Sequence, residues 1–208
     1  MPHLPTESTI LSWPEFTPEN PLCVLVSGCI AGRPCGADGS TYGEHPTPAS
    51  LLALPNVRAI AFCPEDFAFG TPRATPDIHG GDGFDVLEGR ARVLTDDGED
   101  WTDGMVRAAG AMLELARQHE VRLALLMDIS AACGSQVIYD GRRRLKMYRA
   151  GAGVAAAVLI RGGLSVVSQR DFKTLRMLFA RLGRPDLAPP ETIDHHETAW
   201  YRDYFRGS

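Results

Sequence analysis

Val24-Leu-Val-Ser-Gly-Cys29-Ile-Ala-Gly-Arg-Pro-Cys35-Gly-Ala-Asp-Gly39 passes from an apolar run straight into a glycine-rich loop that carries two thiols. Leu22 to Val26 is apolar throughout rather than at alternate positions, the pattern of a strand buried on both faces, and Ser27-Gly28 ends it. Strands of that kind belong to parallel sheets covered by helices. In open α/β sheets ligands sit outside the carboxyl ends of the strands, so Cys29 and Cys35 are expected where such a fold places its active site. The spacing alone does not name the chemistry, because C-x5-C matches neither the C-x-x-C redox pair nor the usual zinc spacing.

The same arrangement recurs along the chain. Val57 to Phe62 reads as a second strand and runs into Cys63-Pro-Glu65. Val121 to Met127 reads as a third and runs into Asp128-Ile-Ser130-Ala-Ala-Cys133-Gly134, and Leu164 to Val167 reads as a fourth. Helical signals alternate with these strands. Pro48 to Leu54 has Pro near a first turn. Thr102 to His119 places Met105, Ala108, Ala109, Met112, Leu115 and Ala116 at i, i+3/i+4 spacing. Gly151-Ala-Gly153 opens a small-residue helix to Arg161, and Asp171 is expected to cap a helix with Phe172, Leu175, Leu178, Phe179 and Leu182 on one face. The alternation predicts an α/β fold, a three-layer α/β sandwich around a mainly parallel, Rossmann-like sheet.

Around an α/β body at residues 22–183, the ends read differently. Residues 1–21 hold five prolines and are expected to form an irregular arm, pinned to the body by Trp13 and Phe16. Residues 184–208 form an extension whose Trp200, Tyr201, Tyr204 and Phe205 fall at helical spacing. That stripe packs against the body or against a second subunit, which leaves a homodimer open. Residues 66–89, rich in Gly, Pro and Asp, are expected to be a long loop forming a flap over the site. Arg142-Arg-Arg144 with Lys146 makes a local basic patch that reads as a solvated loop.

Composition excludes several classes. The net charge of −5 offers no basic surface to a long nucleic acid. The longest apolar stretch, Val154 to Ile160, is far short of the roughly 18 residues needed to span a bilayer. The proline-rich start has no secretory pattern, so a cytoplasmic location is expected. Five cysteines form an odd set, and Cys29, Cys35, Cys63 and Cys133 stand beside Gly or Pro. In a reducing compartment this favours metal or thiol chemistry over a disulfide framework.

Three strand ends each delivering a cysteine (Cys29, Cys63, Cys133) would bring those thiols together at one sheet edge. Three thiolates without a strong fourth protein ligand suit an iron–sulfur cluster with one iron left open. A closed zinc site would need a fourth ligand, which Cys35 could provide. His195-His196-Glu197 is set aside as a ligand set, because neighbouring residues on a helix do not face one centre.

The ordered motifs resemble the DUF523 family, whose characterised members are thiouracil desulfurases (desulfidases). They are Val26-Ser-Gly-Cys29, Cys35-x-x-Asp38-Gly39, Cys63-Pro-Glu65, Thr71-Pro-Arg73, Gly80-Gly-Asp-Gly83-x-Asp-Val-Leu87, Ser130-x-x-Cys133-Gly134 and Ile138-Tyr-Asp-Gly141. The resemblance spans residues 22–168. It implies a 4Fe-4S cluster held by Cys29, Cys63 and Cys133 with one open iron. It also implies non-redox release of sulfide from a thionucleobase or thionucleotide, with Glu65 and Ser130 as the acid/base candidates. The other reading of the same cysteines is a non-catalytic metal- or sulfur-binding or redox module. Two positions depart from the family pattern: Ser130-Ala-Ala-Cys133 stands in place of Ser-Pro-Ser-Cys, and Ala152 where an acidic residue is usual. Arg73 and the helix start at Gly151 are further candidates for holding a phosphate or a carbonyl oxygen.

Overall fold

The computed structural model describes residues 3–141 and 143–205. Its centre is a parallel sheet of β1 (Leu22–Ser27), β2 (Val57–Phe62), β5 (Leu123–Leu126) and β8 (Ser165–Ser168) in the order β2-β1-β5-β8. Leu25 aligns with Ile60 on one side and Ala124 on the other, and Leu125 aligns with Val167. The chain steps outward from β1 to β2 and then returns to the opposite side of β1 to form β5. The order therefore reverses between β1 and β5, and that reversal opens a crevice at the carboxyl ends of those two strands.

Both faces of β1, β5 and β8 are buried, as their unbroken apolar runs require, while β2 at the margin is more exposed. Leu25, Ala124, Leu126 and Val166 face one core with α5 (Thr102–Gln118) and α6 (Val154–Arg161). Their neighbours Val24, Leu123, Leu125 and Val167 face the other, with α1 (Glu7–Ser12), α2 (Pro46–Leu52) and α7 (Phe172–Arg181). The period-two alternation of strand side chains thus divides one apolar run between two cores, giving the three layers. Leu25 and Leu125 are fully buried, and truncating either to Ala would cost about 2–5 kcal/mol.

Two expectations change. The arm before β1 is irregular only in part: Thr6 caps the short α1 by accepting from Thr9 N, and the stretch after it is held by Trp13 and Phe16, buried beside α7 as expected. Nor is 66–89 an open flap. Cys63 caps α3 (Pro64–Phe69), whose Pro64 falls in the first turn, where a missing N–H costs nothing. There follow β3 (Pro76–His79), which pairs antiparallel with β4 (Arg92–Thr95), and α4 (Gly83–Leu87), closed by a reciprocal Asp82–Asp85 capping box. The Gly and Asp residues that read as loop are the caps and turns of short elements.

A second antiparallel pair, β6 (Val137–Tyr139) with β7 (Tyr148–Ala150), follows β5. The C-terminal α8 (Ala199–Tyr204) packs its aromatic stripe on the body, with Trp200 and Tyr204 edge-on to Tyr148. At the outer side of β8, Val166 N donates to His3 O and Ser168 N to Asp171 Oδ2. Among the described residues no helix is long and apolar enough to cross a membrane.

Candidate metal centre and active site

A cavity of about 290 Å³ opens at the β1/β5 crevice, lined among others by Cys29, Cys35, Cys63, Glu65, Ser130 and Cys133. Each of these side chains lies just beyond a strand. The turn after β1 is closed by Ala31 N to Ser27 O and Arg33 N to Gly28 O, and brings Cys29 and Cys35 back over the strand end. Cys63 sits between β2 and α3, with Asp66 N donating to its Sγ at 3.4 Å. Ser130 and Cys133 lie on the loop after β5.

The thiols are neighbours. A Cβ built on Gly28 would lie 2.9 Å from Cys35 Sγ and 3.3 Å from Cys63 Cβ, so glycine is the residue that admits them. Cys63 Sγ also lies 3.7 Å from Cys35 O. Contact with Cys29, reinforced by burial, pushes the Cys35 thiol up to about 11. Contact with Cys35, then burial, pushes Cys63 well above the usual thiol range, and burial together with Cys63 does the same to Cys133. As bare thiols Cys35, Cys63 and Cys133 are neutral and crowded, and a bound cation is what would ionise them.

All five cysteines are unpaired, and no three His, Cys, Asp or Glu side chains among the described residues converge on a single ion. A four-iron cluster is a larger body than one ion and takes its ligands from a wider ring. The cavity gathers four thiols, and a donor set drawn from sulfur fits such a cluster.

Glu65, on the first turn of α3, is held by Arg73, whose Nη2 and Nε donate to Oε2 at 2.8 and 3.3 Å. Arg73 also donates to Cys35 O, Gly70 O and Thr71 Oγ1, and its side chain is only 2% exposed. The expectation that Arg73 could grip a substrate phosphate or carbonyl therefore fails: every donor direction is spent on the protein, and its work is to fix Glu65 and the Cys35 turn. The second Glu65 oxygen, Oε1, has a long contact with Ser130 Oγ at 3.4 Å. Ser130 Oγ in turn accepts from Ala132 N and Cys133 N, so it shapes the cysteine loop as well as facing Glu65.

The helix start after Gly151 cannot hold an anion either. Val154 N donates to Ala131 O, and Ala155 N and Ala156 N to Ala132 O, so the first turn of α6 is spent on the cysteine loop itself. Asp171 is not the side-chain cap of α7. Its carboxylate accepts from Ser168 N, His195 N and Gln136 Nε2, while Thr174 N is capped by Asp194 from the C-terminal segment. Of the basic patch, Arg142 lies outside the described residues. Arg143 is tied to Asp77 and stands over the Tyr139 ring, and Arg144 pairs with Asp96.

Sequence reasoning missed Asp128. Its Oδ1 accepts from Ser135, Gln136 and Val137 N at 3.1–3.3 Å, and its Oδ2 lies 2.5 Å from His195 Nδ1. A polar residue directly after a buried strand was the available signal. Ile129, the next residue, has φ 57°, a strained conformation for a β-branched side chain. The loop is thus held in a shape it would not choose.

An α/β sheet that brings four thiols and a fixed carboxylate to its switch point is a candidate sulfur-ligated metal centre. Residues 24–171 match the 2-thiouracil desulfurase family, and the chain belongs to it. It is 34% identical over 154 residues to the uncharacterized protein YbbK of Bacillus subtilis (strain 168), covering 73% of this chain and 99% of that one. Its structure is similar to that of the [4Fe-4S]-dependent thiouracil desulfidase TudS (DUF523Vcz), with TM-score 0.64 and 32% identity over 76% of this chain and 97% of the other. The residues before 24 and after 171 lie outside the family match.

Proposed function

We propose that this protein is a [4Fe-4S]-dependent desulfidase that removes sulfur from thiouracil or a related thionucleobase or thionucleotide by hydrolysis without redox change. The observation that carries the reading is the joining, at one cavity, of an all-thiol donor set with a carboxylate whose second oxygen is only loosely engaged. A storage or redox module needs the first and has no use for the second. Family membership and the likeness to TudS support the same assignment.

Cys29, Cys63 and Cys133 would hold the cluster, one from each strand end, with Cys35 beside them. Bound there, the cluster supplies a Lewis-acidic open iron for the thiocarbonyl sulfur. The protein supplies the rest. A cavity of about 290 Å³ lies at the lower end of small-molecule sites and suits a single-ring base. Glu65 Oε1 takes the proton of the attacking water and returns it to the departing sulfur or the ring nitrogen, and Ser130 orients it. Arg73 keeps Oε2 occupied, so that one oxygen alone is free for proton transfer. The balance is one water consumed, a C=O formed where C=S was broken, and one sulfide released, with no electrons exchanged. The unpaired state of every cysteine suits a reducing compartment and hence the cytoplasm.

The test is anaerobic reconstitution with iron and sulfide, followed by measurement of sulfide released from a panel of thionucleobases and their nucleotides. Release with stoichiometric iron supports the reading. Iron uptake without release from any member of the panel would leave the binding-module reading in its place.

A further inference from the structure

The C-terminal segment meets the loop after β5 at Asp128, through the His195 side chain. His195 is 4% exposed and stacks on Trp200, and its Nδ1 lies 2.5 Å from Asp128 Oδ2. An ionised carboxylate only accepts, so Nδ1 donates. The other Asp128 oxygen gathers the amides of Ser135, Gln136 and Val137 and so closes the loop that carries Ser130 and Cys133. The segment is stitched to the same loop twice more: His196 N donates to Gln136 Oε1, and His195 N shares Asp171 Oδ1 with Gln136 Nε2. None of 194–197 falls within the family match, which ends at residue 171.

We propose that His195 is a positioning residue for the site: by fixing the Asp128 carboxylate it holds the 129–137 loop in the strained form that presents Ser130 and Cys133 to the cavity. The physical need is visible at Ile129, whose φ of 57° disfavours this loop shape unless the surroundings enforce it. With His195 gone, Oδ2 loses its fixed partner. The carboxylate can then rotate, and the three amides that converge on Oδ1 lose their common acceptor. In this chain the task of ordering the third cysteine loop is shared with a segment outside the family match.

This positioning role rests on the cluster site proposed above, but exchange of backbone amides in the metal-free protein reads it independently of sulfide release. Hydrogen exchange is measured on the metal-free full chain for wild type, His195→Ala, His195→Asn and Tyr204→Ala. Asn places an amide donor where Nδ1 stood, and Tyr204→Ala loosens the tail at its bond from Tyr148 N without touching Asp128. The expected result is at least tenfold faster exchange at Ser135 to Val137 in His195→Ala only, with Asn restoring protection. On anaerobic reconstitution the same Ala variant should lose iron to a chelator severalfold faster than wild type. Equal protection at 135–137 in His195→Ala and wild type overturns the proposal, as does equal loosening in His195→Ala and Tyr204→Ala. Should His195→Ala not fold, failure of Asn to protect 135–137 overturns it as well. Because exchange is read without metal, the outcome holds whether or not the protein releases sulfide.

Discussion

Replacing Glu65 by Gln removes a proton acceptor while leaving the shape of the side chain in place. Arg73 Nη2 and Nε can still donate to the amide oxygen at the Oε2 position, while at the other position an amide nitrogen replaces the acceptor of Ser130 Oγ, whose lone pairs already serve Ala132 N and Cys133 N. The cost in stability is the lost charge opposite a buried guanidinium, with an upper bound of about 3–5 kcal/mol for an unpaired buried ion. Arg73 keeps acceptors at Cys35 O, Gly70 O and Thr71 Oγ1, so the loss should fall well below that bound. General acid/base catalysis contributes on the order of 10²–10⁴-fold, or about 2.7–5.4 kcal/mol of barrier at 1.36 kcal/mol per decade. The assay is single-turnover sulfide release by anaerobically reconstituted protein, with iron and labile sulfide counted on the same sample and the melting temperature recorded. The variant should keep its iron and lose between two and four decades of rate. Full rate at normal iron content would refute Glu65 as the proton acceptor, and a rate loss that tracks iron loss would assign it to structure instead.

Cys29→Ala, Cys63→Ala and Cys133→Ala should each abolish the visible absorption of the cluster, whereas Cys35→Ala should retain it; absorption lost only with Cys35 would reassign the ligands. Gly28→Ala drives a methyl to 2.9 Å from Cys35 Sγ, so iron content should drop severalfold with a stability loss of about 1–3 kcal/mol in urea, and unchanged iron would show that the thiols have room to spare. Burial raises the Asp171 carboxyl to about 7 in the folded chain, so its stabilising contribution is complete below about pH 4 and is lost as pH rises through about 7. His3, lowered by burial to about 4, acts with the opposite sign: its contribution is complete above its unfolded value and is lost as pH falls toward about 4. Wild-type slopes therefore partly cancel, and the urea midpoint of Asp171→Asn minus wild type should increase between pH 4 and pH 7; a difference that is flat with pH would remove Asp171 as the titrating group.

The sheet was legible because its chemistry is local. Leu22 to Val26 is apolar at every position, and that alone demands burial on two faces; the cysteines then mark where each strand stops. Met105, Met112 and Ala116 likewise identify α5 by spacing, since a helix has one period wherever it packs. The short elements between 64 and 95 were hidden, because caps and loops draw on the same Gly, Asp and Pro. Cys63 as a cap and the Asp82–Asp85 box become visible only when the backbone is seen to turn. Arg73 illustrates a different limit. A sequence shows a guanidinium near a site, but not whether its donors are already taken, and here four acceptors of the protein take them all. Asp128 and His195 lie 67 positions apart, and no local pattern announces a contact of that separation.

The hydrogen bond from Val166 N to His3 O bears on association as well as on folding. The outer strand of an open sheet normally offers a ladder of unpaired amides to any other extended chain. In β8 the amides of Ser165 and Val167 alternate toward β5, and the two that point outward, at Val166 and Ser168, are taken by a carbonyl of the arm and a carboxylate at the start of α7. At the opposite margin β2 exposes Arg58 and Ala59, and the charge there discourages a further strand from docking. The arm before β1 thus serves as a selvedge: it finishes the margin of the sheet, and without it an apolar strand would lie open to edge-to-edge polymer growth.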